Sequence, residues 1–77
     1  MLLLRLPEVL TRSGYSRSTL YRRIDAGLFP RPVKPSQRIS AWPLDEVDLI
    51  LSQTVRGASE EELRALVQSM YTERKRL

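Results

Sequence analysis

The 77-residue chain has no cysteine and no histidine. Those two absences remove disulfides, thiol nucleophiles, zinc fingers and histidine-based acid–base chemistry together. The lack of cysteine fits a reducing compartment, and a cytoplasmic location is expected. Only three glycines occur, and none belongs to a phosphate-cradling loop. No long apolar run is present. Met1 to Leu4 is apolar, but Arg5 and Pro7 cut it far short of a signal or membrane segment. There is no internal repeat and no low-complexity stretch. No nucleophile has a base beside it, so an enzyme is not expected. Asp45, Glu46 and Asp48 imitate a metal site, yet acids in a first helical turn explain them better. Glu60 to Glu62 reads the same way. No cofactor or metal is expected.

What is present is positive charge, unevenly placed. The net charge is +4 and the isoelectric point about 10.1. Residues 1–42 carry eight Lys or Arg against Glu8 and Asp25, a balance of +6. Residues 43–77 carry five against seven acids, a balance of −2. The basic half is where a polyanion docks, unless it is simply a solvated surface. The length allows one small domain. A core of this size rarely supplies more than about 3–5 kcal/mol, so a partner or ligand is expected to help hold the fold firm.

Local signals divide the chain into four helices and a ribbon. Pro7 and Glu8 suit the first turn of a helix running to about Arg12, with Val9 and Leu10 inward and Gly14 as its stop. Ser16 caps a second helix, Tyr15 and Leu20 have the spacing of a hydrophobic staple, and Gly27 closes it. At about 100° per residue, Leu20 and Ile24 share one side while Ser18 and Arg22 lie nearly opposite. The turn between these helices, Ser13 to Ser16, is that of a helix-turn-helix. Pro30, Pro32 and Pro35 forbid a helix beyond it. Val33-Lys34 and Ile39 to Trp42 form two short strands with Pro35-Ser36-Gln37-Arg38 as the tip. Such a two-stranded wing is marginal alone and must lean on the helices. A third helix opens at Pro43 and carries Leu44, Val47, Ile50 and Leu51 inward. After the break at Arg56-Gly57-Ala58, Ser59 and Glu62 form the capping box of a fourth. Its stripe of Leu63, Leu66, Val67 and Met70 serves either core packing or self-association. Glu73 to Arg76 is expected to fray.

The second helix carries the chemistry. A recognition helix reads base edges in the major groove mainly from its N-terminal part. Ser16, Arg17, Ser18 and Thr19 occupy that part, with Arg22 one turn on. Arginine bonds guanine bidentately, and serine and threonine reach bases or phosphates. Tyr21 either meets a phosphate or thymine methyl or is a flanking core aromatic with a wet hydroxyl. Arg23 reads better as a solvated charge or phosphate contact than as a base reader. Lys34, Gln37 and Arg38 either reach a neighbouring minor groove or its phosphates, or form an ordinary polar loop. Arg5 and Arg12 read as surface charges.

These residues, in this order, resemble a known family. Leu3-Leu4-Arg5-Leu6-Pro7-Glu8-Val9, then Ser13 to Arg22, Gly27 to Lys34, Arg38, and Trp42 followed by Glu46-Val47 resemble the AlpA-type prophage regulators. Those are small bacterial and phage DNA-binding proteins akin to excisionases and to the winged helix-turn-helix of MerR. The similarity covers about residues 2–51. It implies that Ser16 to Ile24 is the recognition helix and Val33 to Trp42 the wing. It further implies Arg17, Ser18, Thr19 and Arg22 in the major groove, with Lys34 and Arg38 on the backbone. The family often has Leu-Gly or a similar pair after the lysine; Pro35-Ser36 stands there instead and implies a differently shaped tip.

The resulting expectation is a mainly α winged helix-turn-helix domain over residues 1–56. Residues 57–77 add a helix that packs on the core or mediates self-association. Double-stranded DNA is the expected partner, met by a homodimer or a cooperative array, with an integrase as a further partner and no membrane. The expected role is sequence-specific transcriptional regulation of prophage or mobile-element genes. Two alternatives stay open. One is an excisionase-type factor that bends attachment-site DNA. The other is an adaptor that binds a protein through its last helix.

Overall fold

The computed structural model describes residues 2–77. In chain order the elements are β1 (Leu3–Arg5), α1 (Leu6–Ser13), α2 (Arg17–Asp25), β2 (Val33–Ser36), β3 (Ile39–Pro43), α3 (Leu44–Val55) and α4 (Glu60–Arg74). The three strands form one antiparallel sheet in the order β1-β3-β2.

The wing therefore has one strand more than the sequence suggests. β1 pairs with β3, setting Leu3 opposite Pro43, Leu4 opposite Trp42 and Arg5 opposite Ala41. The Leu44 amide extends the pairing with a 2.9 Å hydrogen bond to the Leu2 carbonyl. A lone hairpin is marginal in water. β1 gives β3 a second hydrogen-bonded edge and buries Leu4, which is 4% exposed. On the other edge, β2 pairs Val33 with Ala41 and Ser36 with Ile39, so the register slips by one residue between them. Lys34 and Pro35 fall in that irregularity. Proline has no amide to give a ladder and is tolerated at such a bulge on an edge strand. Pro35-Ser36 thus belongs to the strand, and the tip shrinks to Gln37-Arg38.

The helix ends follow their local chemistry. The Arg5 amide donates to the Glu8 carboxylate at 3.0 Å, and Gly14 ends α1 at φ +74° with its amide on the Leu10 carbonyl. Only glycine adopts that backbone without strain. Val9 of α1 is fully buried, whereas Leu10, expected inward, is half-buried. The Ser16 hydroxyl accepts the Thr19 amide at 3.1 Å and caps α2. Tyr15 and Leu20 on either side of that cap both join the core, with Leu20 fully buried. Ser59 caps α4 through the Glu62 amide at 3.1 Å, and Glu62 returns a carboxylate to the Ser59 amide at 2.9 Å.

One core gathers all of these elements. Trp42, Phe29, Leu20, Ile50, Val9, Val47 and Val67 are its largest fully enclosed apolar side chains. The Trp42 indole donates to the Pro30 carbonyl at 2.9 Å, which satisfies its polar atom inside the core. The stripe of α4 lies here too: Leu63, Val67 and Met70 are at most 5% exposed. The charged end of α4 does not fray at Arg74. Its Nε donates to Glu46 Oε2 of α3 at 2.9 Å and its Nη2 to the Arg31 carbonyl at 2.7 Å. The local sequence 73–76 gives no sign of these two distant partners.

Candidate nucleic-acid interface

α2 divides cleanly between an inner and an outer face. Leu20 is buried and Ile24 half-buried, while Arg17, Ser18, Tyr21 and Arg22 are exposed. The three hydroxyls of the first turn are linked. Ser16 Oγ lies 2.9 Å from Thr19 Oγ1 and 3.3 Å from Ser18 Oγ. Arg22 Nη2 sits 3.5 Å from Thr19 Oγ1, at the limit of a hydrogen bond. Ser16, Ser18, Thr19 and Arg22 therefore form one connected polar patch, with Arg17 exposed at its N-terminal side. Tyr21 is 38% exposed and stands outside the core cluster.

Arg23 behaves differently from its neighbours. It is half-buried, and its guanidinium lies 5.5 Å from the centre of the Tyr15 ring, a cation–π contact. Its Nε is enclosed and has no hydrogen-bond partner. Tyr15 in turn meets Phe29 edge-on at 6.4 Å. Arg23 is thus held against the core rather than projecting freely from the outer face.

Positive charge dominates this patch, and the one acid of α2, the exposed Asp25, is its last residue. No acid lies in the first turn of α2, and Arg22 and Arg23 lie in its last. Among the described residues, the ion pairs join Arg12 to Asp48, Arg64 to Glu60, Arg74 to Glu46 and Arg76 to Glu73. Arg17, Arg22, Lys34 and Arg38 take part in none of them. Their charge is left for an external anion, and the amides at the N-terminus of α2 add a favourable dipole. On the hairpin, Lys34, Gln37 and Arg38 are all exposed, with Gln37 and Arg38 forming the turn itself. No hydrogen bond among the described residues links them to α2.

What joins the two parts is the irregular segment 26–32. Four side chains bind its backbone: Trp42 from β3, and Arg64, Tyr71 and Arg74 from α4. The three from α4 are absent from the residues singled out by sequence. Their only local signal is spacing, since positions 64, 71 and 74 recur on one side of a helix.

Two helices across the three-residue turn Gly14–Ser16, followed by a hairpin backed by a third strand, make this a small winged helix-turn-helix domain. Residues 2–55 match the family described as prophage CP4-57 regulatory protein (AlpA), and the chain belongs to that family. It is a family of regulators rather than of enzymes. The matched region runs from β1 to the end of α3 and leaves α4 outside. No curated relative and no solved structure matches the chain.

Proposed function

We propose that this protein regulates transcription of prophage or mobile-element genes by binding specific duplex DNA. α2 enters the major groove, and the hairpin anchors the adjacent phosphates. The observation that carries this reading is the outer face of α2. Arg17, Ser18 and Arg22 stand exposed and unpaired with acid on a helix whose opposite face is locked by Leu20. The major groove, about 12 Å wide, accepts an α-helix, and these side-chain types match its donor and acceptor pattern. Lys34 and Arg38 suit phosphates, which supply affinity and register without reading sequence. Tyr21 flanks the reading face, and Arg23, steadied by Tyr15, suits a backbone contact. The molecule measures 33 × 30 × 20 Å, so one copy covers about one turn of duplex.

A salt-titrated binding assay tests the reading, using DNA upstream of the chain's own gene and of any adjacent integrase gene, with scrambled duplex as control. Preference for one of these sites by orders of magnitude at moderate salt is the expected result. Equal, steeply salt-dependent binding to every duplex would reduce the basic face to general electrostatics. Footprint spacing then separates two roles. Isolated or paired half-sites fit a transcriptional regulator, alone or as a dimer. Closely packed tandem sites with bent DNA fit an excisionase-type factor working with an integrase.

A further inference from the structure

Residues 26–32 connect α2 to the hairpin without regular structure of their own, and the contacts described here fall on 26–31. The amides of Ala26, Gly27 and Leu28 bond back to carbonyls of α2, and other backbone polar groups of the segment take partners from elsewhere. Trp42 covers one of them, the Pro30 carbonyl. α4 covers three. Arg64 Nε donates to the Ala26 carbonyl at 2.9 Å, just past the end of α2. The Tyr71 hydroxyl accepts the Arg31 amide at 2.9 Å. Arg74 Nη2 donates to the Arg31 carbonyl at 2.7 Å. The guanidinium groups of Arg31 and Arg74 also lie 4.7 Å and 5.1 Å from the Tyr71 ring centre. Arg74 is fixed from behind by Glu46, in a pair whose side chains are only 18% and 14% exposed.

These contacts reach back 38 to 43 residues along the chain. Closing the core does not require them, because Leu63, Val67 and Met70 already bury the apolar face of α4. The polar side chains go to one place, the joint between the two DNA-facing parts. They also lie outside the family-matched residues 2–55.

We propose that α4 is an alignment strut: Arg64, Tyr71 and Arg74 fix the joint at residues 26–31 and so decide which sequences α2 and the hairpin engage together. This rests on the DNA-binding reading above. The three are positioning residues and touch no DNA. With a slack joint, α2 still enters a groove and Lys34 and Arg38 still meet phosphates, but the two no longer do so in one register. Sequence preference falls while electrostatic binding to any duplex persists.

The test uses the full chain. Wild-type protein selects its preferred duplex from a randomised pool at fixed salt. Affinity for that duplex and for scrambled duplex is then measured for wild type and for the Arg64→Met, Tyr71→Phe double variant, with thermal midpoints in parallel. Both substitutions keep the apolar stem or ring and delete the hydrogen-bonding group. The specific-to-scrambled ratio is expected to fall between about twofold and thirtyfold, with scrambled-duplex affinity and salt slope unchanged. A lower thermal midpoint with an unchanged ratio would make α4 a stability element alone and overturn the proposal. If the double variant unfolds, Tyr71→Phe alone, which removes one oxygen, carries the same test. A wild-type chain that selects no sequence refutes the DNA-binding reading, and this inference with it, before any variant is made.

Discussion

α2 and α4 begin alike and diverge within one turn. Each starts at a serine whose hydroxyl accepts the amide three residues on, at 3.1 Å in both cases. In α4 the first turn is Glu60-Glu61-Glu62, which suits the positive end of the helix dipole, and Glu62 closes the capping box. In α2 the first turn is Arg17-Ser18-Thr19, with no acid. α4 has three buried residues and α2 has one. The first is arranged for its own stability and the second is not. A positive residue at a helix N-terminus is locally unfavourable, by some tenths of a kcal/mol up to about 1 kcal/mol. That cost is reversed once an anion arrives. The contrast between the two caps thus separates a helix arranged to hold the fold from one that leaves a positive N-terminal turn uncovered.

The contrast can be broken at several points. The largest effect falls on α4. Leu63→Ala removes a buried side chain and is expected to lower stability by about 2–5 kcal/mol. In a domain this small, that leaves little folded protein, and urea unfolding reads it directly. Arg22→Ala should do the reverse. Stability stays within about 0.5 kcal/mol, while specific affinity drops by about 1–3 kcal/mol and preference at one base position blurs. An unchanged binding-site profile would remove Arg22 from the reading face. Ser16→Ala and Ser59→Ala sharpen the comparison, because both delete a cap worth typically about 1 kcal/mol. The first should weaken DNA binding beyond its effect on folding, and the second should not. Equal effects of the two on affinity would erase the distinction. Lys34→Ala comes next. It should weaken all duplexes alike and flatten the salt slope by about one unit, and a sequence-selective loss argues against a phosphate role.

The smallest effect is a pH dependence at the cap of α4. The Ser59 amide, and then its hydroxyl, hold the Glu62 carboxyl below the ordinary carboxylate value. A lowered folded-state pKa stabilises the charged form. The contribution is complete above the ordinary value and fades as pH falls through the depressed one. Glu62→Gln should therefore flatten the acid side of the stability curve without changing DNA affinity at neutral pH. In α2 the corresponding cap position holds Thr19, which has no carboxylate.

The sequence makes most helix starts and the glycine stops legible because those signals are local. Ser16 with Tyr15 and Leu20, Ser59 with Glu62, and glycines 14, 27 and 57, all at positive φ, act within a few residues of themselves. The outer face of α2 is legible for the same reason. What stays hidden depends on distant partners. Leu3–Arg5 is too short to read as a strand until Ala41–Pro43 is beside it. Arg64, Tyr71 and Arg74 bind backbone atoms of residues 26 and 31, and a backbone carbonyl leaves no mark in a sequence. The stacking of Arg23 on Tyr15, eight positions earlier and across a turn, escapes helical periodicity for a similar reason. The faces of single helices can be named in advance, but the contacts between distant segments cannot.

The bulge at Pro35 has a consequence for how copies of the protein coexist. β2 is an outer strand of the sheet, with a face of amides and carbonyls open to any other strand that approaches. A proline in an irregular register removes one donor and bends the rest away from a straight template. The opposite edge, β1, is three residues long. Neither border offers enough uninterrupted ladder to recruit a neighbour. Copies brought close together can then sit edge to edge without their sheets fusing into insoluble assemblies.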